Sequence, residues 1–338
     1  METVDWGARI DVEAARKRIA DHVRRTPLVP YGAPGSPSDL GRPELELRLK
    51  LECEQETGSF KARGATNQLA LLSAEERTRG VVATSSGNHG RAVAWAARRA
   101  GVKATLFMPE NIYPNKLAAA RAEGAEIVLC PTRGEAEERC AEAVRAGANL
   151  VHPYAAERTA EGAGTVGLEI VEDWPEVELV LFPCGGGGLL AGSSLAIRRK
   201  TGGRTKVVGV EPEGAPNLSR ALELGKPAWI EPESIVQGLT PPSTGEMNLA
   251  LVEAYVEGIA TLEDEEIFAA QRVLVRDGFV VEPAGAATLA AVREGALPPQ
   301  LLEGRDASNP LRVACVVSGG NVDPAQLEAV RAELGAAG

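Results

Sequence analysis

Four short segments of this chain hold groups able to do chemistry. The first is Thr57-Gly58-Ser59-Phe60-Lys61-Ala62-Arg63-Gly64-Ala65. Lys61 follows a Gly-Ser-Phe turn and opens a predicted helix over Ala62 to Leu72, where the positive end of the helix dipole lowers an amine's pKa. A neutral amine attacks an aldehyde. The plain alternative is a solvated lysine at a helix start, and on this segment alone it is the stronger reading. The second segment is Thr84-Ser85-Ser86-Gly87-Asn88-His89-Gly90, between a strand and a helix. Ordinary capping explains one Ser or Asn there. A run of small polar residues also exposes backbone N–H groups that can hold a carboxylate.

The third segment is Cys184-Gly185-Gly186-Gly187-Gly188-Leu189-Leu190, after an apolar strand and before a helix. Consecutive glycines weaken a chain unless the backbone must approach something closely. Cradling a phosphate with successive N–H groups is the leading reason, and a tight crossover turn the other. The segment lacks the Gly-Lys-Ser/Thr of a Walker A loop, and Leu190 stands at the third glycine of a GxGxxG fingerprint, so nucleoside triphosphate and NAD fit poorly. The fourth is Val316-Val317-Ser318-Gly319-Gly320-Asn321-Val322-Asp323. Ser318 can meet a buried ring nitrogen, although Ser-Gly-Gly-Asn also makes a turn unaided. An amine, a carboxylate nest, a phosphate cradle and a ring-nitrogen partner together match pyridoxal 5'-phosphate (PLP) with an amino acid bound to it.

These segments need elements to hold them. Short β-branched runs (Val81–Ala83, Ala104–Phe107, Ile127–Leu129, Leu179–Phe182, Val207–Val210) alternate with amphipathic stretches (Asn88–Arg99, Asn115–Glu123, Glu135–Arg145, Leu189–Arg199, Pro216–Leu224). That alternation predicts βαβ units and a mostly parallel sheet with helices on both faces, an α/β fold. Runs such as VELVLF and VACVV are apolar throughout, as a strand covered on both faces must be. Gly225 to Asn248, with Pro227, Pro232, Pro241 and Pro242, reads as a long ordered loop or lid.

Bulk composition narrows the function classes. With 338 residues and 44% hydrophobic content the chain can bury a large core or two smaller ones. A net charge of −11 opposes a nucleic-acid surface. No apolar run reaches membrane-spanning length, and no signal peptide is evident at the start. Five scattered cysteines and three histidines form no zinc or disulfide pattern, which points to free thiols in the cytoplasm.

SFKARGA, TSSGNHG, GGGGLLAG and SGGNVD, with EGAGTVGLEI, VVGVEPEGAPN and VVEPAGAATLAAV between them, resemble the fold-type II PLP enzymes, in particular the threonine dehydratase and serine racemase group. The resemblance runs from about Thr26 to Asp323. It implies a tryptophan synthase beta-like fold: two open, mostly parallel twisted sheets flanked by helices. Residues 1–55 and 156–338 would form a large cofactor-binding domain and 56–155 a small inserted one, with the Lys61 helix at the junction. It further implies that Lys61 is the Schiff-base lysine beside Phe60, and that Asn88 meets the cofactor's phenolic oxygen. Gly185, Gly186, Gly187, Gly188 and Leu189 would form the phosphate cup, Ser318 would meet the pyridine nitrogen, and Ser85, Ser86 and His89 would belong to the substrate-carboxylate loop. A serine rather than a carboxylate at the ring nitrogen suits β-elimination. In the implied reaction the freed Lys61 amine removes the α-proton of a β-hydroxy amino acid such as L-threonine or L-serine, the hydroxyl leaves, and a 2-keto acid and ammonia follow.

The resemblance also leaves alternatives. Ser86 stands where serine racemases place an opposite-face acid/base, so Lys61 and Ser86 together would allow a serine or hydroxyaspartate racemase with dehydratase activity. Dehydration of another 3-hydroxy amino acid, or a PLP-binding protein without turnover, are further readings. The racemase pattern implies a Mg2+ or Ca2+ ion at Glu211, the Ala215 carbonyl and a third ligand, but here Asn217 replaces that pattern's aspartate and removes an anionic oxygen. Tyr154 stands where relatives often carry a smaller polar residue. The group suggests a homodimer or homotetramer, and no isoleucine feedback, because the chain ends soon after SGGNVD.

Overall fold

The structure is a computed structural model, and it describes residues 4–85, 87–112 and 114–336. Among the described residues ten strands form two sheets. They are β1 (Leu28–Tyr31), β2 (Leu45–Lys50), β3 (Val81–Thr84), β4 (Ala104–Pro109) and β5 (Glu126–Cys130), then β6 (Asn149–Leu150), β7 (Leu179–Pro183), β8 (Lys206–Pro212), β9 (Gly258–Leu262) and β10 (Leu311–Val316). The six-stranded sheet has the order β1-β2-β10-β7-β8-β9 and the four-stranded sheet β5-β4-β3-β6. Of the pairings between these strands only β1–β2 is antiparallel; the others are parallel. The chain leaves the larger sheet after β2, builds the smaller one, and returns with β7.

The period of two along a strand splits the hydrophobic residues between two faces. In β7, Val180 and Phe182 join one core with Val207, Ala314 and Val316. Their neighbours Leu179 and Leu181 join the opposite core with Val208, Val313 and Cys315. Both faces are covered, so all five residues of β7 are buried. The smaller sheet repeats this arrangement. Val81, Ala83, Leu106 and Met108 pack under the helices Lys61–Ala70 and Asn88–Ala100, while Val82 and Phe107 pack with Ala136 and Cys140 of the helix Arg133–Arg145.

The α/β expectation from strand–helix alternation is thus met, and element ends fall within a few residues of those predicted. Gly225–Asn248 is free of helix and strand until the helix Glu246–Tyr255 begins. The five cysteines are free thiols. Among the described residues no helix is long and apolar enough to cross a membrane.

Candidate active site

Lys61 is the first residue of its helix, with Phe60 at the N-cap position and no side chain capping the helix start. Its segment lies against the Ser318 loop: Ser59 bridges Gly319, and the Phe60 N–H donates to the Ser318 carbonyl at 3.1 Å. The Lys61 ammonium lies 4.9 Å from the centre of the Phe60 ring. Its Nζ donates to the Pro153 carbonyl at 2.7 Å. Burial lowers its pKa to about 8, against a smaller opposing pull from the Glu282 carboxylate.

The glycine turn packs against the same 152–154 segment. A Cβ on Gly186 would run into the Tyr154 ring, and one on Gly188 would come 2.7 Å from the Tyr154 carbonyl oxygen. Gly187 has φ of +87°, a left-handed conformation that glycine adopts without strain. The helix Gly188–Thr201 begins there with no side-chain cap. The N–H groups of its first turn have no acceptor within the helix and point toward an anion's place. The proline-rich loop supports the turn from outside. Thr244 Oγ1 and Asn248 Nδ2 donate to the Gly186 carbonyl at 3.1 and 2.7 Å, and Pro241 packs beside Gly185. This cradle, which side chains would fill, fits a phosphate.

Ser318 and Asn88 offer polar groups around the loop that borders the Ser59–Lys61 segment. Ser318 is 4% exposed, and its hydroxyl makes only a long 3.5 Å contact with the Ala284 carbonyl, so it is available to a ring nitrogen. Asn88, the first residue of its helix, is oriented from both ends of its amide. Its Nδ2 donates to Glu282 Oε1 at 2.5 Å, and its Oδ1 accepts from Asn321 Nδ2 at 2.7 Å. Arg91 in turn donates to Asn321 Oδ1 at 2.6 Å. Gly319 lies beneath this group, since a Cβ there would meet the Asn88 amide nitrogen at 3.2 Å.

Ser85 and Gly87 flank the start of that helix, with the Gly87 N–H on Ser85 Oγ at 3.3 Å, and Gly87 provides no side-chain cap. Ser86 lies outside the described residues. The His89 ring turns inward: it is 4% exposed and its Nε2–H donates to the Val151 carbonyl at 2.7 Å. Burial and the nearby Lys61 amine push its pKa down to about 3, so the ring is neutral.

Glu282, Thr244 and Asn248 are site residues that inspection of motifs did not find. Glu282 looks in the sequence like the cap before Pro283. A single carboxylate ahead of a mostly apolar helix is the available signal.

Glu211, Ala215 and Asn217 do come together, in an arrangement that engages the Glu211 carboxylate and the Asn217 amide nitrogen while Asn217 Oδ1 is buried without a hydrogen-bond partner. The Glu211 carboxylate accepts from the Leu218 N–H (2.8 Å), the Ser219 N–H (3.0 Å) and the Ser219 hydroxyl (2.8 Å), capping the helix Asn217–Leu224. Asn217 Nδ2 donates to the Gly185 and Pro241 carbonyls. A divalent cation there would compete with three protein donors for one carboxylate. Among the described residues no group of three or more His, Cys, Asp or Glu side chains comes together as a metal site.

A buried lysine amine, a glycine turn at a helix start, and a serine and an asparagine nearby in an α/β scaffold are the groups a PLP site needs. The chain belongs to the pyridoxal-phosphate dependent enzyme family, whose model matches residues 19–319. It is 38% identical over 320 residues to the L-threonine ammonia-lyase of Thermotoga maritima, covering 93% of this chain and 75% of that one. Among solved structures it resembles a threonine deaminase from T.th. (39% identity, TM-score 0.80, 92% and 97% of the two chains). It also resembles maize serine racemase (31% identity, TM-score 0.84, 96% and 97%). These neighbours share the expected fold of two open sheets.

Proposed function

We propose that this protein is a PLP-dependent ammonia-lyase (dehydratase) that converts a β-hydroxy amino acid, L-threonine or L-serine, to a 2-keto acid and ammonia. The observation that carries this reading is the placement of the Lys61 amine. Its pKa is lowered toward neutrality, it is bonded to the Pro153 carbonyl, its segment lies against the Ser318 loop, and Tyr154, next to Pro153, packs on the glycine turn. The threonine ammonia-lyase and threonine deaminase among the similar proteins support the same activity.

PLP supplies, when bound, an electron sink that acidifies the α-proton of an attached amino acid. The residues provide the rest. Lys61 would hold the cofactor, and its amine would take the α-proton. Gly185, Gly186, Gly187, Gly188 and Leu189 would hold the phosphate, Ser318 the ring nitrogen, and Asn88 the phenolic oxygen, with Phe60 lining the ring. Ser85, Ser86 and the N–H groups of Asn88 and His89 hold the substrate carboxylate, which fixes the α-hydrogen relative to the Lys61 amine. Tyr154 and the loop from Gly238 to Asn248 bound the side-chain pocket. The reaction as proposed gives a divalent cation no role.

We likewise propose the domain division 1–55 with 156–338 and 56–155, one domain per sheet, and a cytoplasmic homodimer or homotetramer. The topology of the two sheets supports the division, and the free thiols suit a reducing compartment.

Keto-acid release from L-threonine, L-serine and hydroxyaspartate tests the activity. Lys61→Ala should lower the rate at least about a thousandfold. A second reading, racemisation, draws on the likeness to maize serine racemase. D-serine formed from L-serine would favour it and no D-serine would remove it, and neither product from any substrate would leave a PLP-binding protein without turnover.

A further inference from the structure

Behind the Lys61 helix lies a group of four charged side chains that the reaction does not use. Arg63, Lys50 and Glu52 are each 0% exposed and Glu169 is 5% exposed. Arg63 bonds both carboxylates through a double fork. Its Nε and Nη2 donate to Glu52 at 2.8 and 2.7 Å, and its Nη1 and Nη2 donate to Glu169 at 2.6 and 2.9 Å. Nη1 also donates to Thr165 Oγ1 at 3.1 Å, and Lys50 Nζ donates to Glu169 at 2.6 Å and to the Thr26 carbonyl at 2.8 Å. Two cations and two anions leave the group neutral.

A buried ion group of this kind contributes little stability beyond what packed hydrophobic residues would. What it supplies is geometry, because a guanidinium fork holds two carboxylates in one plane. Lys50 and Glu52 stand where the chain leaves the larger sheet. Glu169 and Thr165 belong to the helix Glu157–Asp173, by which it returns. Arg63 is two residues beyond Lys61, about 200° around the helix, so it grips the back of the helix whose front carries the amine.

We propose that Arg63 is a positioning residue for Lys61: its fork to Glu52 and Glu169 sets the rotation and depth of the helix start, and so the place of the amine against substrate. This rests on the assignment of Lys61 made above and extends it to a residue that touches neither cofactor nor substrate. Arg63→Lys keeps one positive charge but loses the fork. Thr165→Val keeps all four charges and removes one bond to the guanidinium.

The test measures kcat and KM for keto-acid release, the pH midpoint of the bound cofactor's visible absorbance, and thermal melting, on holoenzyme of the wild type and both variants. For Arg63→Lys, kcat should fall about a hundredfold with KM within about threefold, because a displacement of about 1 Å acts on the reacting geometry rather than on uniform binding. The absorbance midpoint should move away from that of the wild type. Thr165→Val should lower kcat about threefold, with KM unchanged. If Arg63→Lys fails to fold, the Thr165→Val split of kcat from KM decides alone. Values of kcat within twofold of wild type, with an unmoved midpoint, would overturn the proposal. Borohydride reduction and peptide mapping of the wild type separate this from failure of the underlying assignment. A pyridoxyl adduct on Lys61 leaves that assignment standing whatever the variants do, and an adduct elsewhere overturns both.

Discussion

Lys61 must be neutral to take up the cofactor, and its surroundings set the pH at which that happens. With its pKa lowered to about 8 by burial, the amine is a cation below that pH and free above it. Cofactor uptake by apoprotein should therefore rise with pH through about 8 and then level off. Glu282 favours the ammonium form, so Glu282→Gln should move that midpoint to lower pH; stopped-flow absorbance across a pH series measures it. The same substitution loosens Asn88, whose amide donates to that carboxylate. Lys61, Asn88, the glycines and Ser318 are candidates in the sequence because each sits in a local turn with an unusual composition, and their proposed roles come from the family resemblance. Glu282 is not, because it meets Asn88 from 194 positions away. Thr244 and Asn248 reach Gly186 across 58 and 62 positions, from a loop with no periodicity to read.

At the scale of elements, the helix Glu157–Asp173 connects the parts. Its small residues let two other helices approach it closely. A Cβ on Gly162 would come 2.5 Å from the Arg63 carbonyl oxygen and 2.8 Å from Gly64 Cα. One on Gly164 would come 2.6 Å from the Gly192 carbonyl oxygen on the phosphate-loop helix. The helix thus touches both the amine-bearing helix and the helix that starts at the glycine turn. Gly162→Ala should destabilise the fold by about 1–3 kcal/mol, seen as a lower urea midpoint with an unchanged m-value. It should also weaken cofactor retention, because the Lys61 helix has to move outward. The spacing of glycines in EGAGTVGLEI marks close approach, but only the packed structure shows which helix each glycine faces.

For the whole molecule, the proposed site draws on both sheets. The amine helix and the carboxylate nest come with the smaller sheet's core, while the glycine turn and Ser318 follow β7 and β10 of the larger one. Cofactor bound across that junction should stabilise both parts together. At a PLP concentration about a hundred times its Kd, Tm should rise by about 5 °C in a thermal scan. Lys61→Ala should keep part of that rise, since the phosphate cradle is intact. A net charge of −11 leaves little attraction for polyanions, in keeping with a small-molecule substrate.

Read alone, the residues already determined the α/β class and the strand and helix succession, and marked four turns as candidates for chemistry. Those properties are local: they follow from hydrophobic period, from turn composition and from which groups a helix start leaves free. Tertiary structure decided that the four turns meet, that Glu282 orients Asn88 while the His89 ring turns inward, and that Arg63 holds the helix from behind. Each of these depends on a carboxylate, carbonyl or ring contributed by a segment distant in the chain. Burial then sets their protonation states, because desolvation exists only once the core has closed around them.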